Sequence, residues 1–389
     1  MNLDRGKQTV CAALLYFDHN ATSPLSDAAR TAWLDATERL IGNPSSPHRL
    51  GARADAALID ARERLAGLLG CVAREIIWTS GATESVNTAV AHAARTSSGT
   101  AWISAIEHPC VRQAVERNFP GRTTQIPVSR DGVVEFDWIS DAIQREKPTM
   151  VAVMAANNET GVLQPWQRIA ELCNERQVPF LCDAAQWIGK MPAAGLGQCS
   201  MVAGCAHKFG GPAGVGFLKC PEMLHPLLVG GPQEEGRRAG TENVAGVLAM
   251  VAALGERERQ IGSDLVERAQ VRDSFAVALA QRLPTAAVVG QNAKRLWNTV
   301  SVLMPEAPDC RQRWVVKLDK LGFAVSTGYA CASGKEEPSH VLTAMGYSAA
   351  EAGRVLRFSS GWDTRPGDWD ELLDGLVRAS AEMKRDGGG

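Results

Sequence analysis

The chain reads as an α/β protein: a mostly parallel central sheet covered on both faces, followed by a smaller α+β unit. Three features predict this. Apolar runs of strand length alternate with amphipathic stretches of helical length between Glu75 and Leu218. Runs such as Met150-Val151-Ala152-Val153-Met154 are apolar at every position, as expected of strands buried on both sides. After Thr241 the texture changes to a long, Ala-rich, charged stretch and then to short strands with helices between them. A length of 389 residues allows two or three compact units, at roughly 100–200 residues per domain.

The elements follow in order. Leu14 to Phe17 is a strand leading into the loop Asp18-His19-Asn20-Ala21-Thr22-Ser23-Pro24. Ser26 caps a helix carrying Ala29, Trp33 and Leu40 on its apolar face. Gly42-Asn43-Pro44-Ser45-Ser46-Pro47 breaks it, and a second helix with Ala54, Leu58, Ala61, Leu65 and Leu68 stops at Gly70. Strands are expected at 75–79, 101–104, 149–154 and 178–182, alternating with helices at 83–94, 109–118 and 165–175. Two further strands flank a glycine-rich turn, Ser200 to Gly204 and Val215 to Leu218. Asn243 to Leu283 is one or two helices leaving the sheet. Strands near 286–289, 298–303, 322–325 and 355–358 complete the smaller unit. No internal repeat is visible, and the terminal Gly387-Gly388-Gly389 reads as a frayed tail.

Composition narrows the function. The chain is 45% hydrophobic and 22% charged with a formal net charge of -2, so neither a nucleic-acid-binding basic excess nor an acidic tail is present. No run approaches the ~20 apolar residues of a membrane span, and Val10 to Phe17 reads as a strand rather than a targeting segment. Ten cysteines include no C-x-x-C pair, which argues against a zinc knuckle. Most lie in apolar surroundings, as packed thiols of a cytoplasmic protein do.

The chemistry gathers at the strand ends. In Cys205-Ala206-His207-Lys208-Phe209-Gly210-Gly211 a lysine stands between two core strands. A sheltered amine loses its proton more readily and becomes a nucleophile able to form a Schiff base. Ser80-Gly81-Ala82-Thr83-Glu84 joins a strand to a helix, where small residues and free N–H groups suit a phosphate. Asp183 follows the apolar strand Val178 to Cys182, at the edge where open α/β sheets bind ligands. Asn157-Asn158-Glu159-Thr160-Gly161 follows another strand, and His108 stands at a helix start in Ile106-Glu107-His108-Pro109. Taken singly, each has a plainer structural reading: a surface lysine, a tight turn, a helix cap, a surface histidine. Together they suit pyridoxal 5'-phosphate, which needs a lysine, an acid for its ring nitrogen and a phosphate cradle.

With these residues the chain resembles the cysteine desulfurases of the NifS/IscS type, in the aminotransferase class V superfamily, from about Tyr16 to about Leu376. The segments carrying the resemblance are Thr79 to Glu84, Asn157 to Gly161, His207-Lys208, Arg238-Ala239-Gly240-Thr241, and Cys331 with Glu337-Pro338-Ser339. The resemblance implies the fold type I architecture of pyridoxal-phosphate transferases. Residues 20–262 would form the large cofactor-binding domain, and 1–19 with 263–389 the small domain carrying the catalytic cysteine loop.

It also implies roles. Lys208 would hold the cofactor and move the substrate α-proton. Asp183 would pair with the ring nitrogen, Gln186 with the phenolic oxygen, and His108 would stack on the ring and relay a proton. Ala82, Thr83, Cys205 and His207 would surround the phosphate, with Thr241 reaching it from the neighbouring subunit of a homodimer. Asn157 and Arg357 would grip the substrate carboxylate. Cys331, in Gly328-Tyr329-Ala330-Cys331-Ala332-Ser333-Gly334, would take sulfur from L-cysteine as a persulfide and pass it to an acceptor protein, a scaffold or a carrier. No metal, nucleic acid or membrane is expected. Two other readings remain: a selenocysteine lyase or plain class V aminotransferase, and a non-catalytic docking subunit. A second nucleophile at Cys331 speaks against the aminotransferase. Lys208, Asp183, His108 and Cys331 together speak against the docking subunit.

Three departures from the family pattern stand out. Cys205 replaces the usual serine, which predicts looser phosphate binding, since a thiol is the weaker donor. Pro232 and Glu235 replace a glycine and an arginine. The chain also ends soon after its last helix, which suggests a specialised sulfur acceptor rather than a housekeeping iron–sulfur scaffold.

Overall fold

A computed structural model describes residues 14–306, 310–328 and 338–386. In chain order the elements are β1 (Leu15–Tyr16), α1 (Asp27–Arg39), α2 (Arg49–Leu69), β2 (Ile76–Thr79), α3 (Ala82–Thr96), β3 (Ala101–Ser104), α4 (Pro109–Asn118), β4 (Thr123–Ile126), α5 (Phe136–Arg145), β5 (Met150–Ala152), α6 (Trp166–Glu175), β6 (Phe180–Asp183), β7 (Met201–Cys205) and β8 (Gly216–Lys219). Then come α7 (Val244–Arg282), β9 (Ala287–Val288), β10 (Thr299–Leu303), α8 (Cys310–Lys320), β11 (Phe323–Ala324), α9 (His340–Ala344), α10 (Ala349–Ala352), β12 (Val355–Ser359) and α11 (Pro366–Asp386).

The central sheet has seven strands in the order β2-β8-β7-β6-β5-β3-β4. The run from β7 to β4 is parallel, and β8 lies antiparallel between β7 and β2. Alternate side chains leave each strand on opposite faces. Ile77, Ile103, Leu181, Met201 and Leu218 pack under α3 and α4 with Val86, Val90, Val111 and Val115. Trp78, Trp102, Val151, Phe180, Val202 and Phe217 face the other way and pack with Leu58 and Leu65 of α2, Ile139 of α5, Ile169 of α6 and Met250 of α7. Burial on both faces explains the continuous apolar runs in the sequence.

Caps fall where the sequence places them. The Ser26 hydroxyl accepts from the Ala29 N–H at 3.2 Å, and Gly70 ends α2 in the left-handed conformation at φ 76. Two elements had no reading in the sequence, β4 and α5. The expected one or two helices after Asn243 are one helix of 39 residues, so the expected boundary at residue 262 falls inside α7.

A second core gathers Phe17, Phe275, Val300, Val302, Trp314, Phe358, Trp369, Leu372 and Leu376. It lies beneath an antiparallel sheet in the order β12-β10-β9 and a short parallel pair, β1 with β11. The loop after β1 crosses to the central sheet, because Asp18 bridges to Ser359 and the Ser23 N–H donates to the His207 carbonyl at 2.7 Å.

Candidate active site

The carboxyl ends of β2, β3, β5, β6 and β7 lie along one edge of the sheet, and each delivers one of the polar groups singled out above. β6 ends at Asp183, which is only 5% exposed. Its Oδ1 accepts from the Ala185 N–H at 3.0 Å. Burial raises its pKa, opposed by His108, that N–H and Lys208.

β7 ends in a tight turn that carries Lys208. Its amine donates to the Asn20 carbonyl at 2.5 Å and the Ala21 carbonyl at 2.9 Å. Burial pulls the amine below the ordinary lysine range; Arg357 adds to this, while Cys205, Asp183 and Asp18 oppose it. Backbone carbonyls are neutral acceptors, so the amine is held in place without an ion pair that would keep it charged.

His108 caps α4, with Pro109 following at the first helical position. Its Nδ1 accepts from the Cys110 N–H at 3.2 Å and lies 3.0 Å from the Cys110 thiol. That N–H makes Nδ1 an acceptor, which puts the proton of the neutral ring on Nε2. Burial lowers the imidazole pKa, with Asp183 opposing and Lys208 adding. Beside it Glu107 is fully buried, and burial raises its carboxyl well above the usual range. Glu107 Oε1 accepts from the Met154 N–H at 2.8 Å.

The cradle forms where α3 begins. The Ala82 N–H is directed towards the Cys205 sulfur and opposes the rise of its pKa, so the structure brings these two expected residues together. Burial pushes the Cys205 thiol up to about 11, with Lys208 opposing, so it stays protonated. Thr83 is exposed on the first turn of α3. His207 Nδ1 lies 3.3 Å from the Thr22 hydroxyl, and burial, with Lys208 and Lys190, lowers its pKa to about 4.

Arg357, on β12, reaches this edge from the second core. It donates to the Asn158 carbonyl at 2.7 Å and to Asp18 Oδ1 at 2.6 Å. Its buried Nε has no partner among the described residues. Asn157 is committed differently: its Oδ1 accepts from the N–H groups of Glu159 and Thr160, both at 2.9 Å, and its Nδ2 donates to the Ile106 carbonyl at 3.1 Å. The amide builds the turn that presents the Asn158 carbonyl to Arg357. Its second N–H meets only the Met154 sulfur, at 3.4 Å, and is the one a carboxylate would take.

Cys331 lies outside the described residues, but the chain on either side is anchored at the site. Ser326 exchanges backbone hydrogen bonds with Arg357, and the Ser339 hydroxyl donates to Glu159 Oε2 at 2.6 Å. Thr241 is exposed in the segment before α7, tied back where Arg238 Nε meets Glu84 Oε1 at 2.8 Å. Glu235, one of the departures, pairs with Arg237 at 3.4 Å within the same segment.

Two residues of the site had no signal in the sequence. Asn20 is a buried hub: its carbonyl accepts from Lys208 and from Gln186 Nε2 at 2.9 Å, and its Nδ2 donates to the Thr299 hydroxyl at 2.9 Å. Lys190 is only 3% exposed, and its amine donates to Asn20 Oδ1 at 2.7 Å and to Gln186 Oε1.

The set fits pyridoxal phosphate. It offers an amine held off charged partners, a buried carboxylate with one protein N–H for company, a neutral imidazole and the N-terminus of a helix. An α/β molecule with a lysine and an aspartate so placed on the carboxyl edge of a mostly parallel sheet is a fold type I pyridoxal-phosphate enzyme. The family model for aminotransferase class V matches residues 15–372. Cysteine desulfurase IscS of Dictyoglomus turgidum is 33% identical over 95% of both chains. Cysteine desulfurase NifS of Azotobacter vinelandii is 34% identical over 95% of this chain and 93% of its own. Among solved structures, a NifS-like protein from Rickettsia africae superposes with a TM-score of 0.84 at 26% identity, covering 95% of this chain and 99% of the other. The chain belongs to the aminotransferase class V family, in its cysteine desulfurase branch, and pyridoxal phosphate is its cofactor.

Proposed function

We propose that the protein is a cysteine desulfurase: it converts L-cysteine to L-alanine and carries the sulfur as a persulfide on Cys331 to an acceptor protein in iron–sulfur cluster assembly or another sulfur-dependent cofactor pathway. The observation that carries this reading is the meeting of Lys208, Asp183 and His108 on one sheet edge. The relatives named above carry the reading from cofactor chemistry to this reaction.

The bound cofactor supplies an electron sink at the substrate α-carbon, which the Asp183 carboxylate sustains by keeping the ring nitrogen protonated. Lys208, lowered by burial, is the base that takes and returns the α-proton. His108, neutral with its proton on Nε2, would stack on the ring and relay a proton. Gln186 would hold the phenolic oxygen, and the α3 N-terminus with Ala82, Thr83, Cys205 and His207 would hold the phosphate. Arg357 takes the substrate carboxylate through its guanidinium, Nε included, in competition with Asp18. The Cys331 thiolate attacks the substrate sulfur, the carbon–sulfur bond breaks, and its electron pair stays with carbon, which gains a proton. One thiol and one cysteine thus give one persulfide and one alanine without an external oxidant.

A homodimer completes the site, with Thr241 reaching the neighbour's phosphate. Support comes from an exposed apolar stretch just before it, where Met223 is 87% and Val229 is 81% exposed. Patches of this kind mark contact surfaces. Among the described residues no helix is long and apolar enough to cross a membrane. With seven free cysteines there, six of them buried, a reducing cytoplasmic setting suits the chain.

The test is direct. After exposure to L-cysteine, mass spectrometry should find one extra sulfur on the Cys331 peptide and alanine in solution. Cys331→Ala should keep the yellow colour and lose the persulfide. Sulfur elsewhere, or none, contradicts the reading.

A further inference from the structure

The turn between β6 and β7 carries a lysine that the mechanism above does not use. Lys190 lies one helical turn after Gln186 and beneath the loop that holds Lys208. Its backbone is fixed from outside: Trp297 Nε1 donates to the Lys190 carbonyl and Trp362 Nε1 to the Gly189 carbonyl, both at 2.9 Å. Gly189, at φ +75, lies so close to Phe209 that a Cβ there would stand 2.2 Å from the Phe209 Cβ. Only glycine permits that approach, and it brings the Lys190 backbone against the residue that follows Lys208.

Both acceptors of the Lys190 amine are uncharged oxygens, Asn20 Oδ1 and Gln186 Oε1. Burial, reinforced by Lys208 and Arg357 and opposed only weakly by Cys205, draws the amine well below the ordinary lysine range. A neutral amine has two N–H groups, and two acceptors are present. A lysine kept only for packing has no need of this match, since a methionine fills similar space without a buried polar group.

We propose that Lys190 is a positioning residue, whose amine fixes the Gln186 amide so that N–H, not oxygen, faces the phenolic oxygen of the cofactor. This rests on the reading of Gln186 given above. A primary amide has one oxygen and two N–H groups. Lys190 occupies the oxygen, and the Asn20 carbonyl takes one N–H at 2.9 Å. The second N–H is the group left for the ligand. Without the amine, Gln186 Oε1 loses its donor and the amide is held from one side only, by the Asn20 carbonyl, so its orientation towards the ligand is less firmly set. Asn20 cannot turn in compensation, because its Nδ2 is held by Thr299 and its Oδ1 also accepts from Asn298 at 3.2 Å.

The experiment uses holoenzyme without substrate. Visible absorption is titrated with pH and cofactor release is followed by dialysis, for wild type, Lys190→Met, Gln186→Ala and the double variant. Each single variant should move the band's titration midpoint in the same direction and weaken cofactor retention on the order of tenfold, the size of one buried hydrogen bond. The double variant should be no worse than Gln186→Ala, because residues acting through one another are not additive. Lys190→Gln matches Met in length but keeps an N–H donor, so it should recover part of the shift and guards against a folding defect. A wild-type band in Lys190→Met, additive effects, or a lowered apo-protein melting temperature with an unmoved band would each overturn the proposal. A wild-type band in Gln186→Ala would overturn the underlying reading of Gln186. A shift in Gln186→Ala alone leaves that reading intact and removes only Lys190 from it.

Discussion

Two buried lysines, Lys190 and Lys219, sit in the same sheet domain and are handled in opposite ways. Lys219, at the end of β8, is 5% exposed; its amine donates to the Cys199 carbonyl at 2.7 Å and lies 3.4 Å from Glu75. Burial there is answered by opposite charge. The same holds for the buried Glu234, which meets Arg62 at 2.7 Å and accepts from the Trp78 N–H. At the carboxyl edge, apart from the Arg357–Asp18 pair, the buried groups are answered by neutral dipoles instead. Lys190 and Lys208 bond to amide and backbone oxygens, and Asp183 and Glu107 to backbone N–H groups. Paired charges hold the fold. Unpaired ones shift their pKa and become available to a ligand.

The contrast can be broken at either end. The largest effect is expected at Asp183→Asn, which keeps the shape and removes the charge. Desulfurase turnover should fall by at least roughly a hundredfold, as for loss of one charge-assisted hydrogen bond, while the melting temperature of the apo-protein stays the same or rises. Lys219→Met should do the reverse. It strands the Cys199 carbonyl and leaves the partly exposed Glu75 without its partner, lowering stability by about 1–3 kcal/mol in denaturant titration, with turnover per folded molecule unchanged.

Acid sharpens the comparison next. His19 is buried, and its pKa is lowered to about 4, chiefly by burial. Its folded value lies below its unfolded one, so its contribution to stability is present above about pH 6.5 and is lost as pH falls towards 4. His207 and His340, also at about 4, act in the same direction. The melting temperature should therefore drop between these values, and His19→Gln should flatten the drop. The smallest effect is expected at Cys205→Ser. A hydroxyl donates to phosphate better than a thiol, so cofactor retention on dialysis should improve by about threefold, the size of a fraction of one hydrogen bond.

Much of this edge was legible in the sequence, because its residues follow apolar strands directly. Asp183 comes straight after Leu181-Cys182, His108 opens a helix with proline behind it, and Lys208 separates two core strands. Lys190 was not legible. In Trp187-Ile188-Gly189-Lys190-Met191-Pro192 it reads as an exposed turn lysine. Its burial depends on Asn20, far upstream, and on Trp297 and Trp362, far downstream. β4 was invisible for a local reason, whereas α5 carries a buried apolar face of Ile139, Ala142 and Ile143 that the reading passed over. The strand Thr123-Thr124-Gln125-Ile126 lies at the sheet edge with only Ile126 buried, so it carries no apolar run to detect. The antiparallel direction of β8 likewise leaves no trace in its composition. Asn157 was found for its position, but the sequence did not show that its amide oxygen forms the turn while its nitrogen reaches the Ile106 carbonyl.

The presence of two buried amines on one residue, Asn20, makes the decisive measurement specific. Borohydride reduction of the yellow holoenzyme fixes the cofactor to the amine that holds it, and digestion with peptide mapping locates the label. The account predicts label on the peptide containing Lys208 and none on the peptide containing Lys190. Label on Lys190, or on any other peptide, would contradict it.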